Sequence, residues 1–250
     1  MGLETFKVIN DFIKDSAKSL ISDTLEKSTH SNVEKYNPDE KAEISPRFDS
    51  HKNKDYFGNI ERGKEMTFKE ADSGNVNPNL KKHEGYQNNC QTCVVVFEAR
   101  LRGWDIEAMP FEYGSNSDKL SLNTNRAWRT PDGRHPKYIY DTSANSVDSV
   151  YDFIDKTIKP GERYTLEGQW KGPFGGGHII SVFKEPSGKL VAYDPQIDKI
   201  YNEKSFKKNI LNNMQKGSTP DSNIKLLRID NLSIDKNFME PLVKRRETYA

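Results

Sequence analysis

The sequence predicts a protein of the α+β class, in which helices precede an antiparallel sheet. Within residues 66–250, two segments have the period of a helix and four have the composition of short strands, bounded by turn residues. A hairpin-type turn, Pro186-Ser187-Gly188, joins two consecutive strands. The predicted order is helix 90–102, helix 143–158, strands 163–170, 178–185 and 189–196, a polar helix 203–215 and a strand 224–230. Because strands and helices do not alternate, a parallel βαβ sheet is not expected.

The composition limits the functional classes open to this chain of 250 residues. Its 38 basic and 37 acidic residues nearly balance, so no nucleic-acid partner is indicated. No apolar run is long enough to predict a membrane-spanning helix. With only two cysteines, the chain has no disulfide framework. The start "MGLETFKVIND" lacks the features of a signal peptide, so we expect synthesis in the cytoplasm.

The chain is predicted to divide into three regions. Residues 1–26 form an amphipathic helix, and residues 27–65 form an extended or disordered arm that is poor in apolar residues. A globular domain follows over residues 66–250. The predicted apolar face of the first helix comprises Phe6, Ile9, Ile13, Ala17, Leu20 and Ile21.

The first helix of the globular domain carries both cysteines of the chain. Asn89 is in the N-cap position and Gly103 is placed to end the helix. Apolar residues recur at helical spacing and predict one buried stripe, which consists of Cys90, Cys93, Val94, Phe97, Leu101 and Trp104.

Four interpretations of the two cysteines differ in the partners that they need. A zinc site would need two further ligands at close spacing, but the five histidines are isolated from one another, so we expect no metal. A dithiol redox pair has the right spacing, but it normally follows a strand, and the polar "EGYQNN" precedes it here. Two buried thiols are a third interpretation. The fourth is a catalytic thiol, which needs a general base and a group that orients the base. No cofactor is expected.

The chain contains candidates for each part of a catalytic thiol site. Cys90 lies where the field of the helix N-terminus is strongest, and that field favours an ionised thiol. His178 follows three glycines at the start of a strand. Asp194 lies on the next strand, and a hairpin would make the two residues neighbours. Taken alone, His178 could be an ordinary strand-edge residue and Asp194 the start of a turn.

Three separated motifs resemble one known family. "NNCQTCVVVFEARLRGWDIEA", "GGGHIISV" and "AYDPQ" occur in the order typical of papain-like folds. They resemble the papain-fold toxin family of the protein-glutamine deamidase type, over about residues 66–230. The motifs are also similar to the papain-like domains attached to minor head proteins of phages and of mobile elements from gut bacteria. The resemblance implies a papain-like fold, with a catalytic helix packed on an antiparallel sheet.

The resemblance also implies roles for individual residues. Cys90 would be the nucleophile, His178 the base, Asp194 its orienting carboxylate and Gln196 a supporting polar group. Papain itself offers an alternative, because its nucleophile is the second cysteine of Gln-x-x-Cys-x-x-Cys, with the glutamine six residues earlier in the oxyanion hole. That spacing would make Cys93 the nucleophile and Gln87 the oxyanion donor. Helix capping by Asn89 and the Asn-Cys signature of the family favour Cys90.

The resemblance implies the function of a cysteine-dependent hydrolase that deamidates glutamine side chains of a target protein, in the manner of a toxin or effector. A cysteine protease uses the same machinery and stays open as an alternative. A different class is a structural or interaction protein of a phage particle or secretion system. In that case residues 1–65 would bind a capsid, portal or secretion-machine partner, and the protein would be packaged in a virion or exported by that machine.

Overall fold

The computed structural model describes residues 33–35, 55–72, 74–82, 84–172, 176–217, 219 and 223–246. The predicted N-terminal helix, residues 1–26, lies outside these ranges. So does most of the predicted arm, apart from residues 33–35 and 55–65.

Short strands and one large sheet dominate the described part of the chain. In chain order, the strands are β1 Val33–Lys35, β2 Tyr56–Phe57, β3 Ile60–Glu61, β4 Ile106–Ala108, β5 Trp128–Arg129, β6 Tyr138–Tyr140, β7 Arg163–Gln169, β8 Gly177–Lys184, β9 Leu190–Asp194, β10 Lys199–Tyr201, β11 Lys225–Arg228, β12 Ser233–Ile234 and β13 Val243–Arg245. Seven of them form one sheet in the order β1-β6-β11-β7-β8-β9-β10. Its described neighbours are antiparallel except β1 and β6, which are parallel.

The α-helices are mostly short. In chain order they are α1 Phe68–Ala71, α2 Cys90–Leu101, α3 Asn116–Leu122, α4 Val147–Thr157, α5 Glu203–Phe206 and α6 Lys236–Met239. The 3₁₀ helices are Glu84–Gln87, Thr124–Ala127 and Glu240–Leu242, and a π-helical turn, Lys207–Leu211, continues α5. No described helix is long and apolar enough to cross a membrane.

Two apolar cores lie on opposite faces of the central strands. Ile179 and Tyr193 belong to the core that contains α2, whereas Ile180 and Ala192 belong to the core that contains α4 and α5. Neighbouring residues of a strand point to opposite faces, so β8 and β9 supply both cores by simple alternation. The sheet is therefore buried on both sides, and the predicted α+β class is confirmed.

Helix α2 is buried on all sides rather than along one stripe. Residues 92–100 are all buried, including the charged side chains of Glu98 and Arg100, while Leu101 is only half-buried. The predicted stripe was therefore too narrow, because segments before and after the helix cover its other faces. Gly103 ends the helix as predicted, with φ of 107°. A Cβ atom at Gly103 would lie 2.5 Å from the carbonyl oxygen of Gly63, so only glycine fits there.

The elements predicted from local patterns are present with shifted ends. The helix predicted at 143–158 begins at Val147, because Ser146 and Ser149 form a reciprocal capping box at its start. The polar helix predicted at 203–215 ends at Leu211. Strands β7, β8 and β9 form consecutive antiparallel neighbours as predicted.

The globular domain begins earlier than predicted. Residues 55–65 were assigned to the arm, but β2 and β3 form a hairpin that buries Phe57 and Ile60 in the α2 core. Phe57 packs edge-on against Trp104, with 6.0 Å between ring centroids. The segment is short of apolar residues overall, but these two are enough to bind it to the domain. The domain boundary therefore lies at or before residue 55.

Candidate active site

His178 and Asp194 form a buried hydrogen-bonded pair. Nε2 of His178 lies 2.8 Å from Oδ2 of Asp194, and both side chains are almost completely buried. His178 is the second residue of β8, and Asp194 is the last residue of β9. The register pairs Ser181 with Tyr193, so the two residues lie diagonally across the hairpin. The predicted proximity of His178 and Asp194 is thus present.

The Asp194 carboxylate keeps His178 in its protonated form. Burial by itself disfavours the charged imidazole and lowers its pKa, but the charge and hydrogen bond of Asp194 outweigh burial. A hydrogen bond and charge interaction with Cys90 add to this effect and, together, these contacts raise the pKa of His178 to about 10. His178 thus interacts with a carboxylate through Nε2 and with a thiol at the same time.

The two cysteines have different surroundings. Cys90 is the first residue of α2 and is 4% exposed, and its Sγ donates to Oε1 of Gln91 at 3.2 Å. Cys93 is 0% exposed, and its Sγ donates to Oδ1 of Asn89 at 3.2 Å. Burial, followed by the negative charges of Cys90 and Asp194, raises the pKa of Cys93 well above its usual value. Both thiols are free.

Asn89 occupies the predicted N-cap position, but its side chain does not cap the helix. The Asn89 side chain makes no hydrogen bond to the first-turn amides of α2. The Asn89 amide points inward instead, where Oδ1 accepts from Cys93 Sγ and from Gln196 Nε2 at 3.3 Å, and Nδ2 donates to the carbonyl of Met109 at 3.0 Å. The backbone N–H groups at the start of α2 are therefore left without a capping side chain.

Gln196 links the cysteine helix to the His178–Asp194 pair. Its backbone N–H donates to Oδ1 of Asp194 at 3.0 Å, while its side chain reaches Asn89. Asp194 therefore accepts one hydrogen bond on each oxygen, from His178 and from Gln196. Gln196 is 5% exposed, in agreement with a supporting position at the site.

Gln87 ends the 3₁₀ helix that leads into α2. It is half-buried, and its side chain makes no hydrogen bond to another described residue. Among the described residues, no group of three histidine, cysteine or carboxylate side chains is arranged to hold a metal ion.

Trp170 also contacts the site, although no sequence pattern predicted it there. Its ring stacks on the imidazole of His178, with centroids 5.3 Å apart and an angle of 21° between the planes. Trp170 follows β7 directly, and β7 pairs Gln169 with Gly177, so strand pairing brings the indole beside His178. The sequence signal that could have predicted this contact is an aromatic residue at the end of β7, the strand next to His178. Trp170 is largely buried and covers one face of the histidine ring.

Comparison with known proteins agrees with this architecture. No curated protein matches the sequence. Residues 88–199 match the family model described as papain fold toxin 1, glutamine deamidase. The match includes Cys90, His178 and Asp194 together with the helix and strands that carry them. A helix packed on an antiparallel sheet, with these side chains at its edge, is the papain-like fold that the sequence predicted. The match over residues 88–199 supports the predicted resemblance to the papain-fold toxin family of glutamine deamidases.

Proposed function

We propose that this protein is a thiol-dependent glutamine deamidase that acts on the side chain of a target protein. One observation carries the proposal: the buried His178–Asp194 pair interacts with Cys90 at the start of a buried helix. A thiol, an imidazole and a carboxylate in this order are the parts needed for nucleophilic attack on a carbonyl. The family match supports a glutamine side-chain carboxamide as the group that is attacked.

Cys90 is the proposed nucleophile. Asp194 keeps His178 protonated near neutral pH, and a protonated imidazole beside a sulfur favours the thiolate. The positive end of the α2 dipole acts in the same direction. Cys93 is fully buried, donates its hydrogen to Asn89, and has a raised pKa, all of which favour the un-ionised thiol. These surroundings support Cys90 over Cys93.

The start of α2 also supplies the proposed oxyanion hole. Since no side chain caps the helix, the backbone N–H of Cys90 is available to the oxygen of a bound carboxamide. Gln87 is half-buried immediately before the helix, and its free amide is the proposed second donor.

The proposed reaction has two half-reactions. The thiolate of Cys90 attacks the carboxamide carbon, and the C–N bond breaks as His178 gives its proton to the departing ammonia. The product is a thioester between Cys90 and the former glutamine. His178 then takes a proton from water, the hydroxide attacks the thioester and the C–S bond breaks. Glutamine and water become glutamate and ammonia, and the thiolate and imidazolium are restored.

Mass spectrometry of a treated cell lysate tests the proposed reaction. The wild-type protein and its Cys90→Ser variant are incubated with the lysate, and peptides that change only with the wild type are identified. We expect glutamine residues converted to glutamate. New chain ends would identify a protease, and glutamines joined to amines would identify a transglutaminase, and either result would overturn the assignment as a deamidase. A lysate unchanged by the wild type, together with Cys90 that resists alkylation, would overturn the catalytic interpretation.

A further inference from the structure

Asn77 lies outside the matched family segment but belongs to the network around the site. It occupies the loop between α1 and the 3₁₀ helix Glu84–Gln87 and is 5% exposed. The loop is fixed to the domain on both sides of Asn77. The carbonyl of Val76 accepts from the N–H of Ala108 at 2.9 Å, and Asn79 Nδ2 donates to Glu107 Oε1 at 3.1 Å.

The side-chain amide of Asn77 connects two backbone segments. Its Nδ2 donates to the carbonyl of Tyr86 at 2.9 Å and to the carbonyl of Gln196 at 3.1 Å. An amide nitrogen has two hydrogens, so these shortest contacts use both of them. A third, longer contact reaches Oδ1 of Asn89 at 3.3 Å. Oδ1 of Asn77 in turn lies 3.4 Å from Nδ2 of Asn89.

The two joined segments carry opposite halves of the candidate site. Tyr86 lies four residues before Cys90, in the turn that sets the start of α2. Gln196 lies two residues after Asp194, and its N–H holds the Asp194 carboxylate. The side chain of Asn77 therefore connects the segment that precedes Cys90 to the segment that follows Asp194.

We propose that Asn77 is a positioning residue that fixes the separation between Cys90 and the His178–Asp194 pair. The proposal rests on the proposed function of that site. Without the Asn77 amide, the buried carbonyls of Tyr86 and Gln196 lose their hydrogen-bond donor, which costs free energy. That cost is smaller if the two segments move apart and water reaches the carbonyls. A longer distance between sulfur and imidazole weakens their charge interaction.

The expected effect is on reactivity more than on folding. With Asn77→Ala we expect kcat to fall by between about tenfold and a hundredfold, since small displacements of reacting groups have effects of this size. KM stays near the wild-type value, because Asn77 is buried and does not reach a substrate. The pH profile of Cys90 alkylation by iodoacetamide shifts, because the sulfur interacts less strongly with His178, whose pKa is raised in the wild type. The other titratable groups close to this pair are Asp194, which interacts with His178, and Cys93, which interacts with Cys90.

A matched control is available in the same loop. Asn79 is equally buried, at 3% exposed, and also makes a side-chain hydrogen bond, but its partner is Glu107 rather than a segment of the site. Asn79→Ala should lower the melting temperature and leave the pH profile of alkylation unchanged. Asn77→Asp keeps the size of the side chain but removes the donor, so we expect it to impair reactivity at least as much as Asn77→Ala.

The experiment measures iodoacetamide labelling across pH for the full chain, with peptide fragmentation assigning the label to Cys90. A shifted profile for Asn77→Ala and Asn77→Asp, with a wild-type profile for Asn79→Ala, supports the proposal. An unshifted profile in a folded Asn77→Ala protein overturns it. If Asn77→Ala does not fold, Asn77→Ser, which keeps one donor, is judged by the same criterion. A wild-type protein in which Cys90 does not react overturns the proposed function instead, so the two failures are distinct.

Discussion

Nε2 of His178 and Oδ2 of Asp194 lie 2.8 Å apart, near the start of β8 and at the end of β9, and both side chains are nearly inaccessible to solvent. The neighbouring strands β8 and β9 bring them together. Because Asp194 also accepts from the backbone of Gln196, its orientation is fixed independently of the histidine. The imidazole thus has a defined ring orientation, with Nδ1 left over for other partners.

The first prediction separates the two cysteines. Cys90→Ala should abolish deamidation and labelling by thiol probes, whereas Cys93→Ala should keep both within a few-fold of wild type. Cys93 does supply a buried hydrogen bond to Asn89, so its loss should reduce the free energy of unfolding by about 1 kcal/mol. Activity assays and thermal denaturation of both variants measure this. Full activity in Cys90→Ala with none in Cys93→Ala would reverse the assignment of the nucleophile.

The second prediction concerns the orienting carboxylate. Asp194→Asn removes the negative charge that keeps His178 protonated, and its amide cannot accept from both His178 and Gln196 as the carboxylate does. We expect the pKa of His178 to fall and kcat to drop by at least about tenfold, since the corresponding change in a serine protease has an even larger effect. NMR titration of the imidazole measures the first effect. An unchanged histidine titration would show that Asp194 does not control it.

The third prediction is a stability that falls with increasing pH. The folded protein raises the pKa of His178 from 6.5 to about 10, so it binds a proton that the unfolded chain releases in this interval. The stabilisation is complete below about pH 6.5 and is lost as pH rises towards 10, with a slope of at most about 1.4 kcal/mol per pH unit.

Urea denaturation between these pH values measures the slope, and His178→Gln is the control. Glutamine can still donate to Asp194 but does not titrate, so the variant should lose the part of the slope that depends on the histidine. Groups that do not interact with His178 contribute equally to both proteins. If the free energy of unfolding changes with pH in the same way for the wild type and for His178→Gln, the raised pKa of His178 is contradicted.

The fourth prediction concerns the ring that covers the histidine. Trp170 stacks on His178, and such contacts contribute about 0.5–1.5 kcal/mol beyond simple burial. Trp170→Ala should therefore slow the reaction by up to about tenfold, because water gains access to the His178–Asp194 hydrogen bond. Trp170→Phe keeps an aromatic face and should retain most of the rate. If Trp170→Ala and Trp170→Phe react at equal rates, stacking on His178 does not contribute to the reaction.

The fifth prediction concerns the N-terminal boundary of the domain, which truncated chains test. A chain that begins at Asp55 should fold and keep a reactive Cys90, since it retains the β2–β3 hairpin and loses only the described edge strand β1. A chain that begins at Glu65 should be markedly less stable, because it loses Phe57 and Ile60 from the α2 core.

Melting temperatures and iodoacetamide labelling compare the two truncations with the full chain. Residues 1–65 are predicted to serve attachment to a partner, and the chain that begins at Asp55 lacks most of them, so it should react normally and lose that association. Loss of Cys90 reactivity in this chain would instead tie the N-terminal segment to the chemistry.

The sequence by itself determined the elements with strong local patterns. Helix α2, helix α4 and the consecutive strands β7, β8 and β9 follow from helical spacing, alternating residues and a hairpin turn, all of which act over a few neighbouring residues. The same local signals predicted that His178 and Asp194 would meet, because a short turn leaves two adjacent strands little choice of partner. The class of the fold and the proximity of these two residues were therefore within reach of the sequence.

Only the tertiary structure decided what surrounds each group. Cys90 and Cys93 share one helix start and are both buried, and they differ because distant segments bring His178 to interact with the first. Asn77 bonds to Gln196 across 119 positions of the chain, and no local pattern encodes such a contact. Side-chain amides can cap a helix or point inward with similar ease, and the choice made by Asn89 depended on buried partners that the folded chain alone supplies.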